Sequence, residues 1–329
     1  MDTLDAMLTT VPGVKVTKLG FLSQDGITQV KALMWEPRDR KAVSPRGIIH
    51  IAHSMEEYVG RYVDFANYLA SQGFVVCAAD MIGHGRSIAS PEKLSCIPLE
   101  NGKDILIEDV HELRKTISAR FSRQTPYFVF GHSMGSALMR AYIACHGEGL
   151  KGAILCGASQ RPLILSKAGN FFAKRLAGSK GADYKSGFLE KTAFRAYGKK
   201  IENPRTQHDW ICSDDAVVDA YIADPLCGVP FSVGGYAALT DLTAEAVTAS
   251  NAAKVPKDLP VLFISGALDP AGENGVGVEK SARLLRNAGV RQVEVRLYEG
   301  MRHEILNEPG KREVYTDIVQ WIGSVTSGT

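Results

Sequence analysis

The chain has 329 residues, 45% of them hydrophobic and 22% charged, a composition typical of a globular protein. Its 38 Lys and Arg against 36 Asp and Glu give a net charge of +2, which argues against nucleic-acid binding and favours a small-molecule partner. No apolar run approaches the roughly 20 residues of a membrane span. The N-terminus, 1–13, lacks the regions of a signal peptide, so a cytoplasmic protein is expected.

The cysteines are scattered through the chain and form no C-x-x-C pair. This pattern indicates reduced thiols with structural roles, and it argues against a disulfide framework or a zinc site. We therefore predict neither a metal ion nor a cofactor. The cysteines are Cys77, Cys96, Cys145, Cys156, Cys212 and Cys227.

In chain order, the first two segments, 14–21 and 27–36, alternate apolar and polar residues around an Asp-Gly turn signal. They predict an antiparallel hairpin at the edge of a sheet. The next segment, 47–52, is almost continuously apolar, which predicts a strand buried on both faces. It leads through a loop into an amphipathic helix over 62–72.

Strand and helix patterns continue to alternate as far as residue 157 and return after residue 260. This alternation is typical of a mostly parallel sheet with helices on both faces. The predicted strands are 74–79, 127–130, 152–157, 261–265 and 292–298, and the predicted helices are 108–120, 277–288 and 307–322.

The alternation is interrupted over residues 158–246, which contain helix-like pieces and many aromatic residues but no clean buried strand. An insertion of this length in a compact domain predicts a helical cap rather than a loop. We therefore expect one α/β domain whose core, 1–157 and 247–329, is interrupted by the cap.

A serine lies at the turn between strand 127–130 and the alanine-rich helical pattern that follows it, within the sequence GHSMG at 131–135. G-x-S-x-G at such a turn is the nucleophile elbow, whose small residues let strand and helix approach closely. A chance Gly-Ser-Gly turn is the alternative interpretation. The elbow predicts Ser133 as a nucleophile and the backbone N–H of Met134 as an oxyanion donor.

A serine hydroxyl needs a base, and the base needs a third group that holds it in the correct tautomer. Asp269 and His303 each lie just beyond the end of a late predicted strand. The order Ser133, Asp269, His303 is the order found in α/β-hydrolases. An aspartate after a strand can also be a helix N-cap, and Glu273 and Glu304 are weaker candidates for the acid.

Five motifs spread over nearly the whole chain resemble the monoacylglycerol lipase and lysophospholipase group of α/β-hydrolases, the serine aminopeptidase S33-type hydrolases. The resemblance implies an α/β-hydrolase fold with an inserted helical cap, and an esterase that cleaves single-chain lipid esters under a mobile cap. The motifs are H-x-x-x-E-x-x-x-R-Y from His53, D-x-x-G-H-G-x-S from Asp80, G-H-S-M-G around Ser133, G-x-x-D-P at Asp269 and H-E-I-L-N-E from His303.

The loop from His53 departs from the family, in which a glycine commonly follows this histidine, whereas here Ser54 does. The family resemblance implies that the next residue, Met55, supplies the second oxyanion N–H. If this position needs a backbone angle that only glycine adopts, Ser54 would tilt the Met55 amide and weaken its hydrogen bond to the oxyanion. Otherwise Ser54 is accommodated and adds a polar contact.

The leading functional hypothesis is hydrolysis of medium- or long-chain acyl esters, monoacylglycerol or lysophospholipid, with transient contact between the cap and a membrane or micelle. Apolar cap residues would then either hold the acyl chain or form the core of the cap itself. These candidates are Phe171, Phe172, Leu176, Phe188 and Phe194.

Four other functions use the same fold. A small-ester carboxylesterase or a proline-type aminopeptidase shares the triad, and an aminopeptidase would bind the substrate ammonium through an acidic cap residue such as Asp214 or Asp215. A non-catalytic binding protein is expected to lack a triad residue, and all three are present here. Acyl transfer to an alcohol differs from hydrolysis mainly in the exclusion of water.

Overall fold

The computed structural model describes residues 11–38 and 44–327, apart from the side chains of 192–196. Within these residues, an eight-stranded sheet has the strand order β1-β2-β4-β3-β5-β6-β7-β8. The strands are β1 (Val14–Leu22), β2 (Gln29–Pro37), β3 (Ile48–Ala52), β4 (Val75–Ala79), β5 (Tyr127–His132), β6 (Gly152–Cys156), β7 (Val261–Gly266) and β8 (Val293–Tyr298).

Strands β1 and β2 form the predicted antiparallel hairpin, and β2 also pairs antiparallel with β4. From β4 to β8 every neighbouring pair is parallel. Strands β3, β5, β6 and β7 are buried along their whole length. This arrangement confirms the predicted α/β-hydrolase architecture, in which apolar strands lie between two layers of helices.

Helices cover both faces of the sheet. They are α1 (Val63–Ser71), α2 (Gly102–Ser118), α3 (Met134–His146), α4 (Leu163–Lys180), α5 (Gly187–Gly198), α6 (Asp215–Ala223), α7 (Val233–Ala246), α8 (Ala249–Lys254), α9 (Val276–Asn287) and α10 (Lys311–Ser327). Short 3₁₀ turns occur at Val59–Tyr62 and Pro91–Lys93. No helix in the described part of the chain is long and apolar enough to cross a membrane.

The core has two halves because alternate residues of a strand point to opposite faces of the sheet. Val129 of β5 packs with α2, α3 and α9 on one face. Its neighbour Phe128 packs with α1 and α10 on the other, where Trp321 is buried.

Two helices begin well away from their predicted starts, and the second also extends to Ser327 rather than ending at residue 322. Helix α2 begins at Gly102 rather than at residue 108, after Asn101, whose φ of 57° sets the start of the helix. Helix α10 begins at Lys311 rather than at residue 307. The preceding residues form a turn because the Glu308 carboxylate accepts hydrogen bonds from the backbone N–H groups of Ser213 and Arg302 instead of facing solvent.

Helices α4 to α8 lie between β6 and β7 in the chain, and the described residues of this segment contain no strand. The main internal packing of the segment is between α4 and α7. Arg140, buried on α3, donates one hydrogen bond to the carbonyl oxygen of Ser159 at 3.1 Å and another to that of Ala246 at 2.5 Å. These two carbonyls lie near the beginning and the end of the segment, so one side chain of the core holds both.

Candidate active site

Ser133 lies between β5 and α3 with φ 52° and ψ −110°. A positive φ is uncommon for a residue with a β carbon, and such strain clusters at functional sites. Its N–H donates to the carbonyl oxygen of Cys156 on the adjacent strand at 2.9 Å. A β carbon on Gly131 would lie 2.2 Å from the carbonyl oxygen of Gly135, so the turn needs glycine there. This is the geometry expected of a nucleophile elbow.

Asp269, on the loop after β7, is fully buried and contacts His303, on the loop after β8. Its Oδ2 lies 2.9 Å from His303 Nδ1 and also accepts from the Ser265 hydroxyl at 3.1 Å. The backbone N–H of Ala271 donates to Oδ1 at 2.8 Å. Both carboxyl oxygens are therefore held in place, and the carboxylate orients the imidazole ring.

The electrostatics of this pair favour the charged forms. Burial acts to raise the pKa of Asp269, but the His303 ring and the hydrogen bonds hold it below its ordinary value. Burial likewise acts to lower the pKa of His303, but the Asp269 carboxylate raises it above its ordinary value. The Asp269 carboxylate thus stabilises an imidazolium at His303.

The other ring nitrogen of His303, Nε2, is buried and has no hydrogen-bond partner within the described residues. We assign the proton of the neutral ring to Nδ1, which faces the carboxylate, so Nε2 is left as a proton acceptor. Both His303 and Ser133 line one cavity. The rings of Trp210 and His132 pack against His303 at centroid distances of 4.9 and 4.8 Å and hold it in this position.

Ser54, which replaces the family's glycine, does not need glycine's conformational freedom. In this loop Glu56 is the first described non-glycine residue with a positive φ, so the φ of Ser54 is not positive. The Ser54 N–H donates to Glu57 Oε1 at 2.7 Å, and its carbonyl oxygen accepts from His53 Nδ1 at 2.6 Å. The serine is therefore accommodated, and Met55, which also lines the cavity, stays the predicted oxyanion donor.

Glu57 is a buried carboxylate at the centre of this loop. Besides the Ser54 N–H, its Oε1 accepts from the hydroxyl of Tyr62 at 2.6 Å, and Arg61 lies 3.3 Å from its Oε2. Burial acts to raise the pKa of Glu57, but His132 and Arg61 bring it well below its ordinary range. The carboxylate is thus ionised and fixes the backbone of the predicted oxyanion loop.

Arg61 extends this network to the histidine loop. Its guanidinium forms a two-pronged ion pair with Glu304, the residue after His303, with the Nη2 to Oε2 distance at 2.8 Å. Tyr62 also lies 3.1 Å from His132 Nδ1, and His132 Nε2 lies 3.2 Å from the carbonyl oxygen of His303. The loop motif noted in the sequence therefore connects two parts of the site, a role that its spacing alone does not indicate.

The cavity that Ser133 and His303 line has a volume of about 570 Å³. Loops after the carboxyl ends of parallel strands form its floor, and helices α4 to α7 cover it. Of the predicted wall residues, Phe172 and Phe188 line it, whereas Phe171 and Leu176 do not, and Phe194 lies outside the described side chains. Further apolar residues line the cavity that were not predicted from the sequence, among them Leu165, Leu189, Tyr197, Trp210, Ile211 and Leu239.

Of the alternative acids, Glu304 lines the cavity, but both of its carboxylate oxygens pair with Arg61. The other candidate acids lie outside the cavity lining. Glu273 pairs with Lys280 at 3.0 Å and does not line the cavity. Asp214 is the N-cap of α6, where its carboxylate accepts from the Ala216 N–H at 2.9 Å, and Asp215 lies 3.5 Å from Arg205. Neither Asp214 nor Asp215 lines the cavity, so the ammonium site suggested for an aminopeptidase is not formed by these residues.

All six cysteines are unpaired, and five of them are buried. Across the residues that the structure describes, no group of three or more His, Cys, Asp and Glu side chains is placed to hold a metal ion.

Comparison with known proteins gives a coherent set of relatives. The sequence model of the family described as "Serine aminopeptidase, S33" matches residues 43–310. A monoacylglycerol lipase of Mycolicibacterium smegmatis is 26% identical over 310 residues, covering 88% of this chain and 91% of that protein.

Two solved structures are also similar over almost their whole length. A thermostable carboxyl esterase from Bacillus coagulans in complex with glycerol is 31% identical, with a TM-score of 0.86 over 94% of this chain and 98% of that one. A lipase in an open form is 29% identical, with a TM-score of 0.85 over 94% of this chain and 99% of that one.

Proposed function

Because this chain belongs to the serine aminopeptidase, S33, family of α/β-hydrolases and is an ester hydrolase, we propose that it cleaves single-chain lipid esters, monoacylglycerol or lysophospholipid, through an acyl-enzyme on Ser133. The observation that carries the proposal is the juxtaposition of an oriented histidine and a strained serine in one cavity with apolar walls. The activities of two relatives, monoacylglycerol lipase and carboxyl esterase, support an acyl-ester substrate.

In the proposed acylation step, Ser133 Oγ attacks the ester carbonyl carbon while His303 Nε2 takes the hydroxyl proton. Asp269 accepts the Nδ1–H hydrogen bond throughout and stabilises the imidazolium. The backbone N–H groups of Met55 and Met134 donate to the oxyanion of the tetrahedral intermediate. When the intermediate collapses, the C–O bond to the alcohol breaks, and the imidazolium protonates the departing alcohol oxygen.

Deacylation repeats these steps with water as the nucleophile. His303 takes a proton from water, the resulting hydroxide adds to the acyl carbon, and the C–O bond to Ser133 breaks. The serine oxygen recovers its proton from the imidazolium, and the carboxylic acid leaves. Acyl transfer to an alcohol would follow the same route with an alcohol in place of water.

We assign residues 158–246 as the cap in this mechanism and 1–157 with 247–329 as the core. Phe172, Phe188, Leu165 and Leu239 form apolar walls of the cavity and supply the surface that an acyl chain would bury. Several apolar side chains of α4 and α5 also remain exposed, which supports transient contact with a membrane or micelle. They are Ile164, Leu165, Phe171, Phe172 and Phe188. We also propose that the enzyme is cytoplasmic.

The direct test combines a substrate series with a nucleophile variant. p-Nitrophenyl esters from acetate to dodecanoate, monooctanoylglycerol and a lysophosphatidylcholine would be assayed with the wild-type protein and with Ser133→Ala. We expect the longer esters and at least one lipid to be preferred by the wild-type enzyme. Higher kcat/KM for acetate than for octanoate in micelle-free solution would contradict the lipid assignment but not ester hydrolysis.

A further inference from the structure

Glu56 lies in the cavity wall, one residue beyond Met55 in the loop after β3. Its side chain is only 3% exposed, and no atom of the described residues forms a hydrogen bond with its Oε1. A backbone N–H, that of Phe231, does donate to the carboxyl group. Burying a polar atom without a partner is costly, so an unpaired carboxyl oxygen on a residue that lines a cavity points to a ligand that pairs with it.

The loop holds Glu56 firmly in this position. Its carbonyl oxygen accepts from the N–H of Gly228 at 2.9 Å and from the hydroxyl of Tyr221 at 3.2 Å. Its φ of 56° lies in the left-handed region, which is uncommon for a residue with a β carbon. Such a conformation persists where surrounding contacts over-determine it, as they do here.

The charge state of Glu56 follows from its surroundings. Burial raises the pKa of its carboxyl to about 8, and the negative charge of Glu190 on α5 acts in the same direction. The carboxyl is therefore mostly protonated near neutral pH. In that form it can donate one hydrogen bond and still accept others.

Tyr236, on α7, contributes a second unpaired polar group to the same wall. Its hydroxyl is buried and has no partner within the described residues. Burial raises its pKa, and the nearby carboxyl groups of Glu56 and Glu190 raise it further. By contrast, the hydroxyls of Thr240 and Thr243, which also line the cavity, already donate to backbone carbonyls at 2.7 and 3.2 Å.

We propose that Glu56 and Tyr236 form a hydrogen-bonding subsite in the wall of the catalytic cavity and that this subsite binds a hydroxyl group of the ester substrate. The inference rests on the proposed function and adds a specificity determinant to it. A hydroxyl both donates and accepts, as a protonated carboxyl and a phenol do, so all three groups can be satisfied together. An ammonium cannot accept a hydrogen bond, and it would require an ionised Glu56, which burial and Glu190 disfavour.

The bound hydroxyl can belong to the alcohol part or to the acyl chain of the ester. Two pairs of substrates distinguish these possibilities. The first pair is monooctanoylglycerol and propyl octanoate, which differ in the hydroxyls of the alcohol. The second is p-nitrophenyl ω-hydroxyoctanoate and p-nitrophenyl octanoate, which differ in the acyl chain. The quantity to measure is the ratio of kcat/KM for the hydroxylated ester to that for its unsubstituted partner, below micelle-forming concentrations.

Each variant has an expected effect on this ratio. Tyr236→Phe and Glu56→Gly should each lower it by about 3- to 10-fold in one of the pairs, the effect of losing one hydrogen bond. Glycine adopts the φ of residue 56 without strain, so Glu56→Gly should fold. Glu56→Gln keeps a neutral donor and acceptor and should retain the ratio. Thr243→Val is the matched control, because it removes a cavity hydroxyl that is already paired, and it should not change the ratio.

Three results would overturn the inference, and they are distinguishable. Unchanged ratios in Tyr236→Phe and Glu56→Gly would remove the subsite while leaving ester hydrolysis in place. A preference for p-nitrophenyl ω-aminooctanoate over the hydroxy ester, abolished by Glu56→Gln, would assign the subsite to a cation instead of a hydroxyl. If the wild-type protein cleaves none of these esters, the proposed function fails and the subsite fails with it.

Discussion

Arg61 and Glu304 form a two-pronged ion pair that joins the predicted oxyanion loop to the loop of His303, although the two residues are 243 positions apart in the chain. Arg61 also contacts Glu57, whose carboxylate holds the Ser54 backbone. One largely buried cation therefore balances two buried carboxylates. The positions of the predicted oxyanion loop and of His303 depend on the same guanidinium.

Replacing Arg61 should lower the stability of the protein strongly. Arg61→Met leaves both carboxylates buried without a counterion, which costs about 3–5 kcal/mol of stability. Denaturant unfolding would measure the loss. Arg205→Met is the control, because Arg205 forms an exposed ion pair with Asp219 and should show no measurable change. Equal effects of the two substitutions would contradict the role given to Arg61.

The nucleophile assignment predicts that Ser133→Ala lowers kcat by about 10⁴-fold or more without unfolding the protein. A fluorophosphonate probe should label wild-type protein at this serine and should not label the variant. Ser136→Ala is a matched control, since Ser136 is a buried serine one helical turn further along. Labelling that persists in Ser133→Ala would contradict the assignment of Ser133 as the nucleophile.

Two substitutions, each of which replaces a carboxylate with an amide, test which residue is the acid of the triad. Asp269→Asn should lower kcat on the order of 10⁴-fold, because the asparagine can no longer hold the correct tautomer or stabilise the imidazolium. Glu273→Gln should leave kcat unchanged, because Glu273 pairs with Lys280 away from the cavity. Steady-state kinetics on one ester compares them, and the reverse ranking would move the acid to Glu273.

The pH dependence follows from the raised pKa of His303. Its neutral form is the base, so kcat/KM should rise with pH and reach half its maximum above pH 6.5, the ordinary value for this side chain. Burial opposes the shift, whereas the carboxylates of Asp269 and Glu304 favour it. Glu304→Gln should therefore move the midpoint to lower pH. A midpoint that moves upward in this variant would contradict the electrostatic account.

The acyl pocket predicts that kcat/KM for p-nitrophenyl esters rises from acetate to at least octanoate. Each added methylene that is buried should contribute up to about 0.8 kcal/mol. Phe172→Ala should flatten this slope more than it lowers acetate turnover. The neighbouring Phe171 does not line the cavity, so Phe171→Ala should leave the slope unchanged. If the two variants show equal slopes, Phe172 does not contribute to binding of the acyl chain.

The fold and the family were predictable because they depend on local patterns. Nearly continuous apolar runs such as 47–52 identified buried strands, and G-x-S-x-G after such a strand identified the elbow. Chain order then selected Asp269 and His303, whose side chains lie 2.9 Å apart. Their catalytic roles remain predictions, to be tested by the substitutions above.

Other parts of the site depend on tertiary structure, which one-dimensional patterns do not contain. Phe171 and Phe172 are adjacent in sequence, and only the rotation of α4 places the second in the cavity wall. The pairing of Arg61 with Glu304 joins loops that only the sheet topology brings together. The sequence likewise does not reveal that Glu56 Oε1 is buried without a hydrogen-bond partner, because this depends on the residues packed around it.

The two hydrogen bonds that Arg140 donates to Ser159 and Ala246 bear on how the protein could diversify. Because the inserted segment leaves the sheet and returns to it beside one side chain, its two ends lie close together in the folded protein. The entropy of closing a loop grows only slowly with loop length, so a shorter or longer insertion between these two anchor points adds little cost to folding of the core. The segment is thus suited to exchange as a module, and variants that carry a different insertion between residues 159 and 246 offer a route to new specificities on an unchanged sheet.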